Sequence, residues 1–185
     1  MLTLYLRSRQ VPRALPAAMV GVGVISLLGN DPDHPQRTLI FAVLALALGV
    51  GVLGHGLGDA DAQLFRTAAI PQATWRAVHT LGLTVAVVIA SVATTAAPVA
   101  IVLRDAAGLA GLTALAAALF GNQLAWTLPV AWAGAAAVVP ALASPVALAA
   151  LTWPMQPADS GVAILVATVL AAAGLLTYAV RGSRP

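Results

Sequence analysis

Long apolar runs separated by short polar intervals make up most of this chain. A helix needs about 20 apolar residues to cross a hydrocarbon layer of about 30 Å. We assign six runs to transmembrane helices, at residues 11–29, 38–57, 77–103, 106–121, 124–151 and 161–180. The predicted fold class is all-α: a polytopic membrane helix bundle of about six transmembrane helices, in a single transmembrane domain at residues 1–185.

The fifth run, residues 124–151, is the least regular of the six. It contains Pro129, Pro140 and Pro145, and a proline inside a helix removes a backbone hydrogen bond and kinks or ends the helix. One kinked span and a broken or re-entrant pair of helices both fit this sequence.

The composition excludes a soluble domain. Hydrophobic residues make up 61% of the chain and charged residues only 8%, and the mean hydropathy is +0.95. A soluble domain needs more charge to cover its surface, whereas a bundle in lipid needs apolar side chains outside as well as inside. The isoelectric point of about 10.6 does not indicate nucleic-acid binding, because the arginines are not clustered with aromatic side chains.

The positions of the arginines predict the orientation in the membrane. Positively charged residues near span ends stay on the cytoplasmic side. With both termini in the cytoplasm, the arginines on that side are Arg7, Arg9, Arg13, Arg66, Arg76, Arg181 and Arg184. Only Arg37 and Arg104 then face outward. We therefore predict a multi-pass protein of the cell (cytoplasmic) membrane with both termini cytoplasmic.

In this assignment no charged residue falls inside a span. All the arginines and all the aspartates lie in loops or at span ends, and Arg104 and Asp105 separate the third span from the fourth. Ion-coupled carriers keep ionisable residues inside the membrane, at an insertion cost of about 2.5–3.5 kcal/mol each. The pattern therefore disfavours a proton-driven carrier.

Three residue types that carry much of enzyme chemistry are absent from the sequence, which contains no Lys, no Glu and no Cys. Without lysine there is no phosphate-binding loop and no Schiff base. Without cysteine there is no thiolate nucleophile and no thiolate metal site. We therefore predict that the chain is not an enzyme and has no catalytic residue, metal site or cofactor of its own.

Three histidines, His34, His55 and His79, remain as candidate ligands or acid–base groups. His55 and His79 both fall near the cytoplasmic ends of their spans. A metal or haem site would need further ligands, and the sequence offers none nearby. Polar packing or anchoring at the interface is the favoured role.

Four glycines lie in the last part of the second span or directly after it: Gly49, Gly51, Gly54 and Gly58. Small residues let helix backbones approach closely in lipid. A dimer seam and ordinary packing within one bundle both fit, and we favour packing within one bundle.

A polar interval at residues 58–79 separates the second apolar run from the third. Asp59 and Asp61 lie where acids favour the start of a helix, Leu64 and Phe65 are apolar at helical spacing, and Pro71 ends the segment. The pattern predicts a short amphipathic helix on the cytoplasmic face, within a segment at residues 58–76. Such a helix between two spans suits docking of a soluble partner.

The order of these parts resembles the six-span permease subunits of type-2 ABC exporters, in particular their compact actinobacterial members. The stretches that carry the resemblance are DADAQLFRTAAIPQATWRAVH, VLRDAAGLAGL, FGNQLAW and LTWPMQP. The resemblance covers most of the chain. It implies a permease that moves an amphiphilic substrate such as a lipid, a hydrophobic peptide or an antibiotic, energised by a separate nucleotide-binding ATPase subunit that carries ATP and Mg.

The resemblance also implies partners and site residues. The permease would pair as a homodimer or as a heterodimer with a second six-span permease, surrounded by membrane lipid. The coupling helix would contact the ATPase subunit through Asp59, Asp61, Gln63, Leu64, Phe65, Arg66 and Thr67. The outer gate would lie in residues 144–160 and contain Pro145, Trp153, Pro154 and Pro157. The glutamate expected before the RTA element of the coupling helix is absent.

Two alternatives from other classes remain open. The first is an integral membrane enzyme that acts on lipid or polyprenyl phosphates, with a metal held among Asp59, Asp61, Arg66, Arg76 and His79. The second is a non-catalytic membrane assembly subunit.

Overall fold

Helices make up all the regular secondary structure of the described residues. A computed structural model describes residues 11–57 and 72–184. Its α-helices are α1 (Val11–Gly29), α2 (Pro35–Gly54), α3 (Gln72–Thr94), α4 (Val99–Phe120), α5 (Thr127–Val138), α6 (Val146–Leu151) and α7 (Gly161–Arg181). Short 3-10 turns lie at His55–Leu57, Asn122–Leu124 and Trp153–Met155.

Four of the described helical stretches are long and apolar enough to cross a membrane. They are Pro35–Leu57, Ala73–Thr94, Val99–Phe120 and Gly161–Arg181, with hydropathies between 1.6 and 2.2 in their best windows. The α1 helix adds a shorter apolar stretch at Leu15–Gly29. The prediction of an all-helical bundle with the character of a membrane protein is therefore confirmed at this level.

The predicted break between the third and fourth spans is wrong. We expected it at residues 104–105, but α3 ends at Thr94 and α4 begins at Val99. Pro98 precedes the first turn of α4, where a proline disfavours helical backbone in the residue before it. The Asn30 side chain also binds this loop, because its Nδ2 donates to the Thr94 carbonyl at 2.8 Å. The two charges at 104–105 continue a helix instead of ending one.

The fifth predicted span is broken, which was one of the two alternatives. The α5 helix has 12 residues and rises about 18 Å, less than the hydrocarbon thickness of about 30 Å. The α6 helix has six residues, and the Ser144–Pro145 peptide bond before it is cis. We call residues 139–160, between α5 and α7, the cap segment.

The α4 helix lies at the centre of the bundle and contacts α2, α3, α5 and α7. Its closest approach is to α7, at Gly111 and Gly174. A Cβ atom on either glycine would collide with backbone atoms of the opposite helix. Small residues are the usual means by which helices in lipid come this close, so this glycine seam fixes the α4–α7 pair.

The glycines of α2 also pack inside the bundle. A Cβ on Gly49 would meet Val22 and Val87, and one on Gly51 would meet Trp126. A Cβ on Gly54 would meet side chains at positions 113 and 125. The interpretation of these glycines as packing within one bundle is confirmed for these three positions, whereas Gly58 lies outside the described residues.

The bundle has two ends that differ in their polar contacts. At the end that we call the Arg104 end lie the α1–α2 loop, the α3–α4 loop and the cap segment. At the opposite end, the Arg184 end, the Asn122 side chain donates to the His55 carbonyl at 3.4 Å, and Arg184 Nη1 donates to the Leu119 carbonyl at 3.3 Å.

Candidate functional site

A buried ion pair lies in the second turn of α4. Arg104 Nε is 2.8 Å from Asp105 Oδ1, and the two side chains are only 6% and 0% exposed. The prediction that every Arg and Asp lies in a loop or at a span end is therefore wrong for these two residues. An ionisable pair inside an apolar helix marks a functional candidate, since burying charge is costly and ionisable residues inside membrane helices are therefore rare.

The guanidinium of Arg104 also reaches across to the cap segment. Its Nη1 donates to the Pro157 carbonyl at 2.8 Å. Its Nη2 donates to the carbonyls of Pro154 at 3.3 Å and Gln156 at 3.1 Å. We call these contacts, together with the Asp105 pair, the Arg104 clasp. A planar guanidinium with several fixed donors suits such a fork-shaped contact, which a lysine does not reproduce.

The cap segment makes further polar contacts within itself and with α5. Gln156 Nε2 donates to the Leu142 carbonyl at 3.2 Å and to Thr152 Oγ1 at 3.0 Å. Trp132 Nε1 of α5 donates to the Leu151 carbonyl at 2.9 Å. These contacts satisfy carbonyls that the irregular backbone leaves without helical partners, so the segment is ordered by its side chains.

The four predicted gate residues all lie in the cap segment. Trp153 and Pro154 are fully buried, and the Trp153 ring lies against Gly108 of α4. Pro145 and Pro157 are exposed. Two of the four therefore anchor the segment and two lie at its surface, and their role as a gate remains a prediction.

Two buried polar atoms near the clasp have no hydrogen-bond partner among the described residues. They are Asp105 Oδ2 and Trp153 Nε1. Leaving a buried polar group unsatisfied costs about 1–3 kcal/mol. Trp153 packs one helical turn along α4 from Asp105, so both atoms belong to the same interior region under the cap segment.

A groove of about 610 Å³ opens beside the clasp at the Arg104 end. The α1–α2 loop, the start of α4 and the cap segment line it, through residues that include Leu39, Ile101, Pro140 and Met155. This volume falls in the range of small-molecule sites. Because Met155 lies between Pro154 and Gln156, whose carbonyls Arg104 holds, the clasp positions one wall of the groove.

Asp31 supplies a carboxylate to the same groove. Its Oδ2 lies 3.1 Å from His34 Nδ1 and 3.3 Å from Arg37 Nη1. Desolvation acts to raise the pKa of Asp31, but hydrogen bonds from the backbone of Asp33 and from His34, with the charge of His34, outweigh it and lower the pKa. Asp31 therefore stays ionised and binds the α1–α2 loop together.

The histidines do not form a metal site in the part of the chain that the structure describes. His34 pairs with Asp31, His55 is exposed with its Nδ1 3.3 Å from the Val52 carbonyl, and His79 is buried. Within residues 11–57 and 72–184, no group of three or more His or Asp side chains is arranged to hold a metal ion.

The predicted coupling residues lie outside the described residues. They are Asp59, Asp61, Gln63, Leu64, Phe65, Arg66 and Thr67. The residues that flank them, Leu57 and Gln72, both lie at the Arg184 end, since Tyr178 near the end of α7 binds Leu57 and Arg76 of α3 binds Ala179. Both flanks of the predicted coupling residues therefore lie at the end opposite the cap segment.

A buried tyrosine joins α7 to the end of α2. Tyr178 Oη donates to the Leu57 carbonyl at 2.7 Å, and the side chain is 0% exposed. Tyr178→Phe leaves this carbonyl without its partner, so we expect the unfolding free energy to fall by about 1–2 kcal/mol. Thermal unfolding in detergent micelles measures it. Thr168→Val, which removes an exposed hydroxyl, is the matched control, and an equal loss in both variants would contradict the assignment.

The fold and the site define a class: an all-helical bundle of membrane character whose cap segment is bound by a buried arginine–aspartate pair. Comparison of the chain with protein-family models, curated proteins and solved structures found no match. Function is therefore argued from the geometry and from the sequence resemblance.

Proposed function

We propose that the chain is the permease subunit of an ATP-driven exporter that moves an amphiphilic substrate. One observation carries the proposal: the residues on either side of the predicted coupling residues lie at the end of the bundle opposite the cap segment. Leu57 and Gln72, which flank the undescribed residues 58–71, lie at the Arg184 end, whereas the cap segment lies at the Arg104 end. A transporter of the resembled kind needs a motor contact at one end and an outer gate at the other.

The two different ends of the bundle also determine its orientation in the membrane and its partners in this proposal. The Arg184 end faces the cytoplasm and both termini are cytoplasmic. The helices α1 to α4 and α7 form five of the six passes, and the short α5 helix crosses together with the irregular residues that flank it. A separate nucleotide-binding subunit supplies ATP and Mg, because the sequence contains no lysine for a phosphate-binding loop. Two such bundles, identical or related, form the twelve-span unit. The largely apolar groove with one carboxylate suits a substrate with an apolar body and a polar group.

Phe65→Ala tests the motor contact. An aromatic anchor at an interface contributes about 2 kcal/mol or more, so we expect the variant to insert normally but to lose the coupling of ATP hydrolysis to transport. Proteoliposomes that contain the chain and its ATPase subunit from the native host measure both rates.

Phe120→Ala is the matched control. Phe120 is a half-exposed phenylalanine at the end of α4, at the same end of the bundle but outside the polar interval, so coupling is expected to survive. Full coupling in Phe65→Ala would contradict this position of the motor contact. A native preparation with no nucleotide-binding subunit, and with transport indifferent to ATP, would contradict the export function itself.

A second candidate function is a proton-coupled carrier, and the buried Asp105 favours it. The carboxylate is 0% exposed and its Oδ2 has no partner among the described residues, as in membrane proteins that bind a proton between helices. The two candidates differ in energy source. Transport driven by an imposed proton gradient without ATP, and lost in Asp105→Asn, would favour the carrier over the exporter.

The enzyme and the assembly subunit remain rivals from other classes. Alanine at both Asp59 and Asp61 removes the acids that a metal-dependent lipid phosphate enzyme would need. Loss of metal-dependent turnover in that variant would favour the enzyme, whereas an exporter keeps its fold and loses at most its coupling. Stable co-assembly with other membrane proteins, in complexes that contain no ATPase, would favour the assembly subunit.

A further inference from the structure

All three nitrogens of the Arg104 guanidinium are engaged. Nε donates to Asp105 on the same helix, while Nη1 and Nη2 donate to the cap segment. The side chain is only 6% exposed. Arg104 therefore joins α4 to a segment about 50 residues further along the chain.

The acceptors of this contact define one conformation of the cap segment. Three carbonyls within four consecutive residues, at Pro154, Gln156 and Pro157, point at one guanidinium. Two of the three residues are prolines, which have no N–H to bind a neighbouring element. The segment's own backbone bonds here are short-range, from Met155 to Thr152 and from Gln156 to Trp153. Arg104 supplies long-range hydrogen bonds to carbonyls that the segment's own short-range backbone bonds do not tie to α4.

The Arg104 clasp consists of the ion pair with Asp105 and the bonds to the cap segment, and these two sets of contacts differ in how readily they break. Arg104 and Asp105 are neighbours on one helix, so their ion pair persists when the cap segment moves. The bonds to the cap segment join a charged donor to neutral carbonyls, and water can accept from the guanidinium in place of these carbonyls when the segment leaves. The cap segment can therefore leave α4 without stranding an unpaired charge in the apolar interior.

We propose that Arg104 is a latch that holds the cap segment closed against α4 as one wall of the groove, and that the cap opens by release of the three carbonyls while the Arg104–Asp105 pair stays intact. The assignment of this opening to the outer gate rests on the proposed export function. Arg104 is a positioning residue, because it acts through the wall of the groove at Met155 and not on a substrate.

Hydrogen exchange of the full-length chain in lipid nanodiscs tests the latch directly. In the double variant Arg104→Gln/Asp105→Asn, which leaves no unpaired buried charge, we expect the amides of residues 152–160 to exchange about tenfold faster or more than in the wild type. The amides of α2 should keep their wild-type rates. Unchanged exchange in residues 152–160 would overturn the latch.

Two further variants distinguish the loss of the latch from a general loosening of the helix bundle. Arg37→Gln removes another arginine at the same end, whose side chain bonds to Asp31 and Leu28 and lies over the Phe41 ring, away from the cap segment. It should leave exchange in the cap segment at the wild-type rate. Arg104→Lys keeps the positive charge but loses the planar, fork-shaped set of donors, so we expect exchange in the cap segment at a rate between those of the wild type and the double variant. Wild-type exchange in Arg104→Lys would mean that charge alone holds the segment, and would overturn the assigned geometry.

ATP-driven transport in proteoliposomes then tests the link to the gate. We expect the double variant to lose at least about tenfold in coupled export, since its cap no longer stays closed between cycles. Wild-type export despite faster exchange would overturn the gate assignment. If the wild-type chain with its ATPase subunit exports nothing while exchange still responds to Arg104, the export function fails and the latch stands.

Discussion

Replacing Gly174 with alanine is expected to lower the free energy of unfolding by about 3 kcal/mol, at the upper end of the range for an overpacked core. The added Cβ would occupy the position of backbone atoms of Gly111 on α4. A flexible side chain can rotate away from such a clash, but backbone cannot, so α4 and α7 must separate along their whole contact. Thermal or denaturant unfolding of the purified protein in micelles measures the loss.

The chain offers matched controls for this substitution. Gly82 on α3 and Gly134 on α5 have no neighbouring atom within 4 Å of an added Cβ. Gly82→Ala and Gly134→Ala should leave stability unchanged or raise it, because alanine favours a helix by about 1 kcal/mol over glycine. If Gly174→Ala is as stable as these two variants, the α4–α7 seam is not the close contact described above.

Length and hydropathy predicted the long helices because these two properties alone set whether a helix crosses hydrocarbon. The sequence misplaces the start of α4 because the charges of Arg104 and Asp105 indicate a loop, although adjacent opposite charges can neutralise each other inside a helix. Pro98 was the better signal, since proline restricts the backbone before it. Pro140 and Pro145 indicate an irregularity in the fifth run, but they do not decide between one kinked span and a broken pair of helices.

The clasp could not be predicted from the sequence, for a physical reason. Its acceptors are backbone carbonyls at Pro154, Gln156 and Pro157, and every residue of a chain carries a carbonyl. Only the folded cap segment brings these three to one guanidinium. The glycine seam leaves a signal in the sequence, because Gly111 lies three residues after Gly108 on one helix face, but its partner on α7, Gly174, is known only from the fold.

Asp105→Ala is expected to lower the free energy of unfolding by about 3–5 kcal/mol, the cost of leaving one member of a buried ion pair alone. The variant strands the charge of Arg104, which is only 6% exposed. Asp105→Asn keeps an oxygen that can accept from Nε and should lose less. Unfolding of the purified variants in micelles, compared with wild type under one set of conditions, measures both losses.

Because Arg104 and Asp105 form a charge pair, the effects of their two substitutions on the free energy of unfolding should not add. Adding Arg104→Gln to Asp105→Ala removes the stranded charge, so the double variant should be more stable than Asp105→Ala alone, although the contacts to the cap segment are gone. Asp159→Ala, at an exposed position of the same cap segment, should unfold like the wild type. If instead the losses from Asp105→Ala and Arg104→Gln simply add, the two side chains do not act as a pair, and the interior charge of α4 has some other role.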